Sequence, residues 1–251
     1  MATGWLGAVA AAAAELAFGS VCAGCEGSAG LLCPDCRDTL RRPAALVPVD
    51  TGATDVPVAA VAEYAGPVRG IVLGHKERAR LALVRPLAEA LATSVVAVLE
   101  SGAGCHLCGS QAVVLVPVPS ARHAVRRRGH DPLVRTARRA AVLLRRVGYD
   151  CAVVPALRHR RAVADQAGLD AAARRANLAS AVDMRPAGLG LLDGRCVMLV
   201  DDVVTTGATL SEASRALIAA GVRPCGAAVI AATPRRGPSL RVPATSRSST
   251  G

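Results

Sequence analysis

Aromatic side chains are scarce in this sequence of 251 residues, which contains one Trp, one Phe and two Tyr. Many proteins that bind single-stranded nucleic acids stack the bases on aromatic side chains, so the scarcity argues against that mode of binding. Hydrophobic residues nevertheless make up 52% of the chain. The sequence is therefore long and apolar enough for a substantial core, whose volume has to come from valine, leucine and alanine.

Lysine is almost absent as well. Of the 30 basic residues only Lys76 is a lysine, and the formal net charge is +11. This balance favours polyanionic partners, either a nucleic acid or a substrate that carries pyrophosphate. The arginines are densest after residue 121 and include Arg126 and Arg128. The alternative is that they are solvated charges from an arginine-rich genome composition.

Residues 1–19 lack the positively charged start of a signal peptide, and they are shorter than the roughly 20 apolar residues of a membrane-spanning helix. We predict that this segment forms an apolar helix that packs on the protein, with no membrane span.

Cysteine is present in a pattern typical of metal binding. Cys22, Cys25, Cys33 and Cys36 form two C-x-x-C pairs close together in the chain. Four thiolates can hold one tetrahedral zinc ion with no position left for water, so the sequence predicts a structural zinc site. The alternative is reduced or disulfide-linked cysteines in a loop. Spacing for metal rather than for disulfide bridges favours a reducing, cytoplasmic setting.

The remaining cysteines give weaker signals. Cys105 and Cys108 form a third pair that offers at most three ligands, because His106 is the one further ligand type between them. Cys151, Cys196 and Cys225 each stand alone in apolar surroundings, and we interpret them as small core residues.

A short apolar run at residues 196–200 predicts a strand that is buried on both faces of a parallel sheet. Asp201 and Asp202 follow it, and then a loop of small residues opens a helix. That loop contains Thr205, Thr206, Gly207, Ala208 and Thr209. Unpaired N–H groups and the dipole at a helix N-terminus favour an anion, so the loop predicts a phosphate site. The paired carboxylates suit ribose hydroxyls, directly or through magnesium.

Two other kinds of structure have a similar pattern. A Walker-type loop is excluded, because G-x-x-x-x-G-K-[ST] does not occur in the sequence. A generic strand-turn-helix crossover with acidic residues at its mouth would also explain the pattern. Paired aspartates followed by T-T-G-A-T are more specific than that.

The stretch from Val197 to Thr209 resembles the phosphoribosyl pyrophosphate (PRPP) signature of type I phosphoribosyltransferases. The wider pattern resembles the ComF family of competence-associated proteins. The wider resemblance rests on the cysteine pairs, Tyr64-Ala-Gly-Pro-Val-Arg, Val116-Pro-Val-Pro, Arg126-Arg-Arg-Gly-His, Gln166-Ala-Gly-Leu and Arg174-Arg-Ala-Asn-Leu. His130-Asp131-Pro132 stands where many relatives carry Phe-Asn-Gln. The resemblance would place a contact with the acceptor substrate at these three residues, where this sequence departs from the family pattern.

The resemblance implies an α/β fold in which helices flank a type I phosphoribosyltransferase-like parallel sheet, with a small four-cysteine zinc module at the N-terminus. The expected segments are the apolar helix and zinc module over 1–42, a linker over 43–57, the phosphoribosyltransferase-like domain over 58–236 and a disordered tail over 237–251.

The resemblance also implies roles for particular residues. Asp201 and Asp202 would hold the ribose, the loop at residues 205–209 would hold the 5′-phosphate, and Lys76 and Arg128 would act with magnesium on the pyrophosphate. The implied reaction transfers a 5-phosphoribosyl group to an unidentified acceptor. The alternative is a non-catalytic protein of DNA uptake that binds single-stranded DNA or a competence helicase.

Overall fold

The computed structural model describes residues 21–28, 30–51, 56–102, 112–120, 125–126, 128–160 and 181–234. Several predictions lie outside these residues: the apolar helix before residue 20, the Cys105 and Cys108 pair, the Gln166 segment and the tail after residue 237.

A six-stranded sheet forms the centre of the described structure, with the strand order β1-β2-β8-β7-β3-β4. All neighbouring strands are parallel except β1 and β2, which are antiparallel. A separate antiparallel hairpin is formed by β5 and β6. The strands are β1 Ala45–Leu46, β2 Val58–Glu63, β3 Val113–Pro117, β4 Cys151–Val153, β5 Leu157–His159, β6 Val182–Met184, β7 Cys196–Val204 and β8 Gly226–Ala232. The predicted parallel sheet with flanking helices is confirmed.

Six α-helices accompany these strands in the described residues. They are α1 Pro34–Asp38, α2 Gly66–Lys76, α3 Val84–Glu100, α4 Pro132–Arg146, α5 Leu189–Leu192 and α6 Ala208–Ala219. Short 3-10 turns occupy Leu81–Leu83 and Pro186–Gly188. The sequence has a helical pattern of apolar residues over 81–99, and the first 3-10 turn and α3 lie there.

The sheet is buried on both faces because helices cover each of them. Met198 and Val200 of β7 face a core that α2, α3 and α4 share, whereas Val197 and Leu199 face a second core with α6. Successive side chains of a strand point to opposite faces, so an uninterrupted apolar run such as that of β7 suits this position.

Helix α3 packs lengthwise on β2 and β8, and Ser94 Oγ donates a hydrogen bond of 2.8 Å to the Val229 carbonyl. The segment Leu81–Glu100 is long and apolar enough to cross a membrane by length and composition alone. Its residues Leu87, Leu91 and Val95 are fully buried against the sheet. Its apolar character is therefore explained by core packing.

The segment from residue 43 to residue 57, which the sequence predicts to be a linker, lies partly against the sheet. Ala45 pairs with Ala60, and Val47 N donates to the Val58 carbonyl at 2.8 Å. Val47 and Val49 pack on the α6 side of the core. The sequence pattern does not reveal this short antiparallel strand, because two residues are too few to show alternation. The three prolines in the segment also argue against a strand.

Cys225 is buried, as the sequence predicts, but it is disulfide-bonded. A single cysteine in an apolar run carries no sign of a bonding partner, so its spacing gave no reason to expect this bond. Cys151 and Cys196 are buried as predicted.

Candidate functional site

Strand β7 runs to Val204 and carries both aspartates inside it, four residues further than the strand predicted at residues 196–200. Asp202 is 8% exposed, and its backbone N–H donates to Asp201 Oδ1 at 2.8 Å. The neighbouring strands β3 and β8 end at Pro117 and Ala232. The carboxylates therefore lie at the carboxyl edge of the sheet, where open α/β folds bind ligands.

The loop after β7 turns into α6 through Gly207, which has a φ of +84°. Gly207 is the N-cap of α6 and has no side chain to occupy the first-turn N–H groups, while Thr206 Oγ1 accepts a bond of 3.4 Å from Ala208 N. Thr205, Thr206 and Thr209 are all at least partly exposed. The arrangement offers backbone and hydroxyl donors to an anion.

Gly207 also has a packing role that the sequence did not show. A Cβ atom at this position would overlap the Asp50 carbonyl oxygen and come within 2.6 Å of Val49 Cγ1. Residues 49 and 50 thus lie directly over the loop. The absence of a side chain serves this close approach as well as the left-handed backbone.

Lys76 ends α2 and forms an ion pair with the Asp202 carboxylate. Its side chain is 35% exposed and that of Asp202 is 11% exposed. Burial lowers the pKa of Lys76, and the attraction of Asp201 opposes this effect. Lys76 is therefore held in an ion pair and is not a plain exposed lysine.

Arg128 lies close to Lys76 but contacts Glu77, the residue that follows Lys76. Its Nη2 donates to Glu77 Oε1 at 2.6 Å, and its side chain is 15% exposed. Arg128 Nε is buried and has no hydrogen-bond partner among the described residues. The structure therefore brings Lys76, Arg128, Asp201 and Asp202 to one region.

Asp131 belongs to this region too, although in the sequence it stands out only as a departure from the family pattern. Its Oδ1 caps α4 by accepting bonds from Leu133 N at 3.0 Å and Val134 N at 3.2 Å, and it accepts a third from Ser120 Oγ at 3.1 Å. Its negative charge acts on both Lys76 and Asp201. An aspartate directly before a proline is typical of an N-cap, and this signal could have identified it.

His75 joins the end of α2 to the start of α4. It is 4% exposed, and its Nε2 lies 3.2 Å from Thr136 Oγ1. Because the Thr136 hydroxyl donates to the Pro132 carbonyl at 3.0 Å, it accepts the N–H of His75. Burial lowers the pKa of His75, which favours the neutral ring. Nothing in the sequence pattern pointed to this residue.

Glu212 and Arg215 of α6 hold the β5–β6 hairpin beside the site. Glu212 Oε1 accepts from Val182 N at 3.0 Å, and Arg215 Nη2 donates to the Val182 carbonyl at 2.9 Å. The two side chains also pair with each other at 2.7 Å. The helix that begins at the candidate phosphate loop thereby fixes the hairpin, a link that no sequence motif indicates.

The sulfur atoms of the four predicted metal ligands, Cys22, Cys25, Cys33 and Cys36, all lie within 4.8 Å of one another. Cys25 Sγ and Cys33 Sγ are 3.7 Å apart. Four thiolates around zinc at about 2.3 Å would be separated by roughly 3.8 Å, so the cluster fits this ion.

Backbone N–H groups support the charged form of one of these thiols. Burial by itself raises the pKa of the Cys22 thiol. Hydrogen bonds from the backbone of Cys25, Cys33 and Gly24 outweigh this effect and lower the pKa to about 6. The Cys33 N–H lies 3.4 Å from Cys22 Sγ. Such donors are suited to a thiolate that binds a metal.

Two cavities lie at the carboxyl edge of the sheet. The larger, about 920 Å³, lies between residues 39–49 and the ends of β2, β7 and β8. Its walls are mainly valine, alanine and proline, with polar groups at Thr39, Arg42, Glu63, Thr205 and Thr233. The smaller, about 360 Å³, lies beyond β3 and next to the hairpin, and it includes Arg126, Asp131, Arg158, His159 and Arg185.

Comparison with known proteins agrees with this geometry. Residues 132–246 match the phosphoribosyl transferase domain. The chain contains a phosphoribosyltransferase domain. A stretch of 45 residues, 18% of the chain, is 51% identical to an adenine phosphoribosyltransferase of Rhodococcus jostii (strain RHA1), and it spans a quarter of that relative's length. The matched domain includes Asp201, Asp202 and the loop, whereas Lys76 and the cysteine cluster lie before it.

Burial raises the pKa of Asp201 to about 6; the attraction of Lys76 lowers it and the repulsion of Asp131 raises it. Between about pH 4 and 6 the folded protein therefore keeps a proton that the unfolded chain has lost. We predict that the free energy of unfolding falls as the pH rises through this window, by at most about 3 kcal/mol. Asp201→Asn should remove this contribution, as measured by urea unfolding at several pH values.

The exposed Asp193 before β7 offers the matched control, because Asp193→Asn makes the same chemical change away from the site. This variant should keep the pH dependence of the wild type. An unchanged pH dependence in Asp201→Asn would contradict the assignment.

Gly207→Ala should destabilise the protein more than Gly221→Ala. Both glycines have positive φ values, +84° and +82°, so both substitutions introduce similar backbone strain. Only at Gly207 would the new Cβ meet neighbouring atoms, whereas the space at Gly221 is open. We expect a further loss of about 1–3 kcal/mol for Gly207→Ala in urea unfolding. Equal losses would show that the contact with residues 49 and 50 is unimportant.

Proposed function

We propose that this protein binds PRPP with magnesium at the carboxyl edge of β7 and transfers the 5-phosphoribosyl group to an acceptor, with release of pyrophosphate. One observation carries the proposal. Within the matched residues, two carboxylates at the end of the buried strand β7 are followed by a helix N-terminus that is suited to phosphate. The ion pair between Lys76 and Asp202 brings a cation to the same place.

In this proposal the loop of Thr205, Thr206, Gly207, Ala208 and Thr209 binds the 5′-phosphate, and Asp201 and Asp202 bind the ribose hydroxyls. Lys76 and Arg128 bind the pyrophosphate. Magnesium, when bound, neutralises charge on the pyrophosphate as it leaves. Asp131 and three arginines line the smaller cavity, and the arginines suit an anion.

The ion pair gives Lys76 and Asp202 a second function in the proposed reaction. In the ligand-free protein each charge neutralises the other. The pyrophosphate of PRPP carries more negative charge than one carboxylate and would draw Lys76 toward itself. Asp202 would then be available to a ribose hydroxyl, so ligand binding and the release of Asp202 are coupled.

The larger cavity is the proposed acceptor site. Its apolar walls and polar rim suit a flat heterocycle with hydrogen-bonding edges. The partial similarity to an adenine phosphoribosyltransferase supports this class of acceptor. During transfer the bond from the anomeric carbon to pyrophosphate oxygen breaks, pyrophosphate keeps the electron pair, and the acceptor supplies the pair for the new bond. Glu63 is the carboxylate in the lining that can receive the acceptor's proton.

Calorimetry with PRPP and magnesium tests the proposal. We expect the wild type to bind, Asp202→Asn to lose at least tenfold in affinity, and Asp193→Asn to bind normally, because Asp193 is exposed and lies before β7. Pyrophosphate release with a panel of heterocyclic acceptors should show the same order. No binding at millimolar PRPP would overturn the proposal.

Binding to a nucleic acid is the second candidate function, and the outer face of α4 favours it. Arg135, Arg138 and Arg146 are exposed there, and none forms an ion pair with the described residues. This row could follow a phosphate backbone without base stacking. Oligonucleotide binding that weakens with salt and survives Asp202→Asn would support this candidate over the first.

We further propose that Cys22, Cys25, Cys33 and Cys36 bind one structural zinc ion. Purified protein should contain close to one zinc per chain, and Cys33→Ser should lose most of it, because three thiolates bind zinc less tightly than four. Cys151→Ser is the matched control: Cys151 is buried outside the cluster, so the metal content should not change. Elemental analysis that finds no metal in the wild type would contradict the site.

A further inference from the structure

The backbone of the first cysteine pair lies directly on helix α2. A Cβ atom at Gly70 would come within 2.7 Å of the Ala23 carbonyl oxygen and 2.9 Å of the Gly24 carbonyl oxygen. Both are backbone atoms and cannot rotate away. Only glycine at residue 70 therefore permits this distance between the helix and the residues that lie between Cys22 and Cys25.

Further contacts join the same two parts of the protein. A Cβ at Gly24 would lie 3.1 Å from Pro67 in the first turn of α2. Arg80, just after the helix, donates from Nη1 to the Val21 carbonyl at 2.9 Å. The chain around Cys22 and Cys25 thus contacts α2 at its beginning, its middle and beyond its end.

Lys76 is the last residue of this helix. It lies six residues beyond Gly70, which corresponds to about 9 Å along an α-helix. Because the hydrogen-bonded backbone is stiff over this distance, a displacement at Gly70 moves Lys76 as well. The bond between His75 and Thr136 fixes the same end to α4. The position of Lys76 against Asp202 therefore depends on contacts on two sides of α2.

The contact with the cysteine pairs depends in turn on the metal. The described part of this module contains one helix of five residues and no strand before Ala45. A segment of this size does not fold on its own core, and the binding of a structural metal then supplies the energy that orders it. Within the segment, the Ala23 N–H donates to the Leu31 carbonyl at 2.9 Å. The metal would add the link between the two cysteine pairs that holds this short segment in place on α2.

We propose that Gly70 is a positioning residue, through which the metal-filled cysteine cluster sets α2 so that Lys76 meets Asp202. Loss of the metal displaces α2 and weakens the binding of PRPP. The consequence for PRPP rests on the proposed function, whereas the effect on α2 and Lys76 does not.

Hydrogen exchange on the full chain tests the structural half of the proposal. Removing zinc with a chelator should speed the exchange of amides in α2 at least tenfold, while amides of β8, in the middle of the sheet, stay protected. Equal exchange of α2 with and without metal would overturn the proposal. So would an equal acceleration in α2 and β8, because the effect would then be general unfolding.

Two matched variants test the part played by Gly70. Gly70→Ala and Gly74→Ala both raise the helix propensity of α2 by the same amount, about 1 kcal/mol. At Gly74 the new Cβ would meet only side-chain atoms, of which the nearest is Leu83 Cδ1 at 3.3 Å. We expect faster exchange in α2 and about tenfold weaker PRPP binding for Gly70→Ala, and neither effect for Gly74→Ala. Identical behaviour of the two variants would overturn the proposal.

A double-mutant cycle distinguishes positioning from a general structural defect. If Gly70 acts through Lys76, Gly70→Ala should reduce PRPP affinity in the wild type and have no further effect in Lys76→Met. An equal loss in both backgrounds would refute this path. If the wild type does not bind PRPP, the proposed function fails, and the exchange measurements still decide whether the metal positions α2.

Discussion

Two adjacent carboxylates at the end of a strand that is buried on both faces are the feature on which the rest of this structure depends. Removing a carboxylate from water is costly, and two close together repel each other, so the arrangement needs a cation. Lys76 supplies it from α2, outside the matched domain. The raised pKa of Asp201 shows that one lysine does not fully offset burial.

Because the site needs this cation, two parts of the chain are required to form it. The matched residues 132–246 contribute β7, β8, α4 and α6, and the preceding residues contribute β2, β3, α2 and α3. β2 pairs with β8 along five residues, so the first part completes the sheet of the second. The residues before 132 are therefore part of the structural unit that positions the aspartates.

The parts of the site that follow from local chemistry could be predicted from the sequence. The loop at residues 205–209 and the four-cysteine cluster depend on residue types at fixed short spacings. Such spacings can be recognised without knowledge of the fold. The contact of Gly207 with Asp50 could not be predicted, because it joins residues more than 150 positions apart. The bonds of His75 and Asp131 are similar: each residue has an ordinary local context, and its role depends on which elements meet in space.

The proposed function gives a reason for lysine rather than arginine at residue 76, the single lysine among 30 basic residues. A guanidinium is planar and binds a carboxylate through two parallel bonds, which would hold Asp202 firmly and fix the geometry. An ammonium is a compact charge on a flexible stem, and it can exchange one oxygen partner for another without losing a matched pair of bonds. In the proposed function, Asp202 is neutralised in the ligand-free protein and released when a more highly charged ligand binds. Arginine serves the first requirement as well as lysine does, but it serves the second less well.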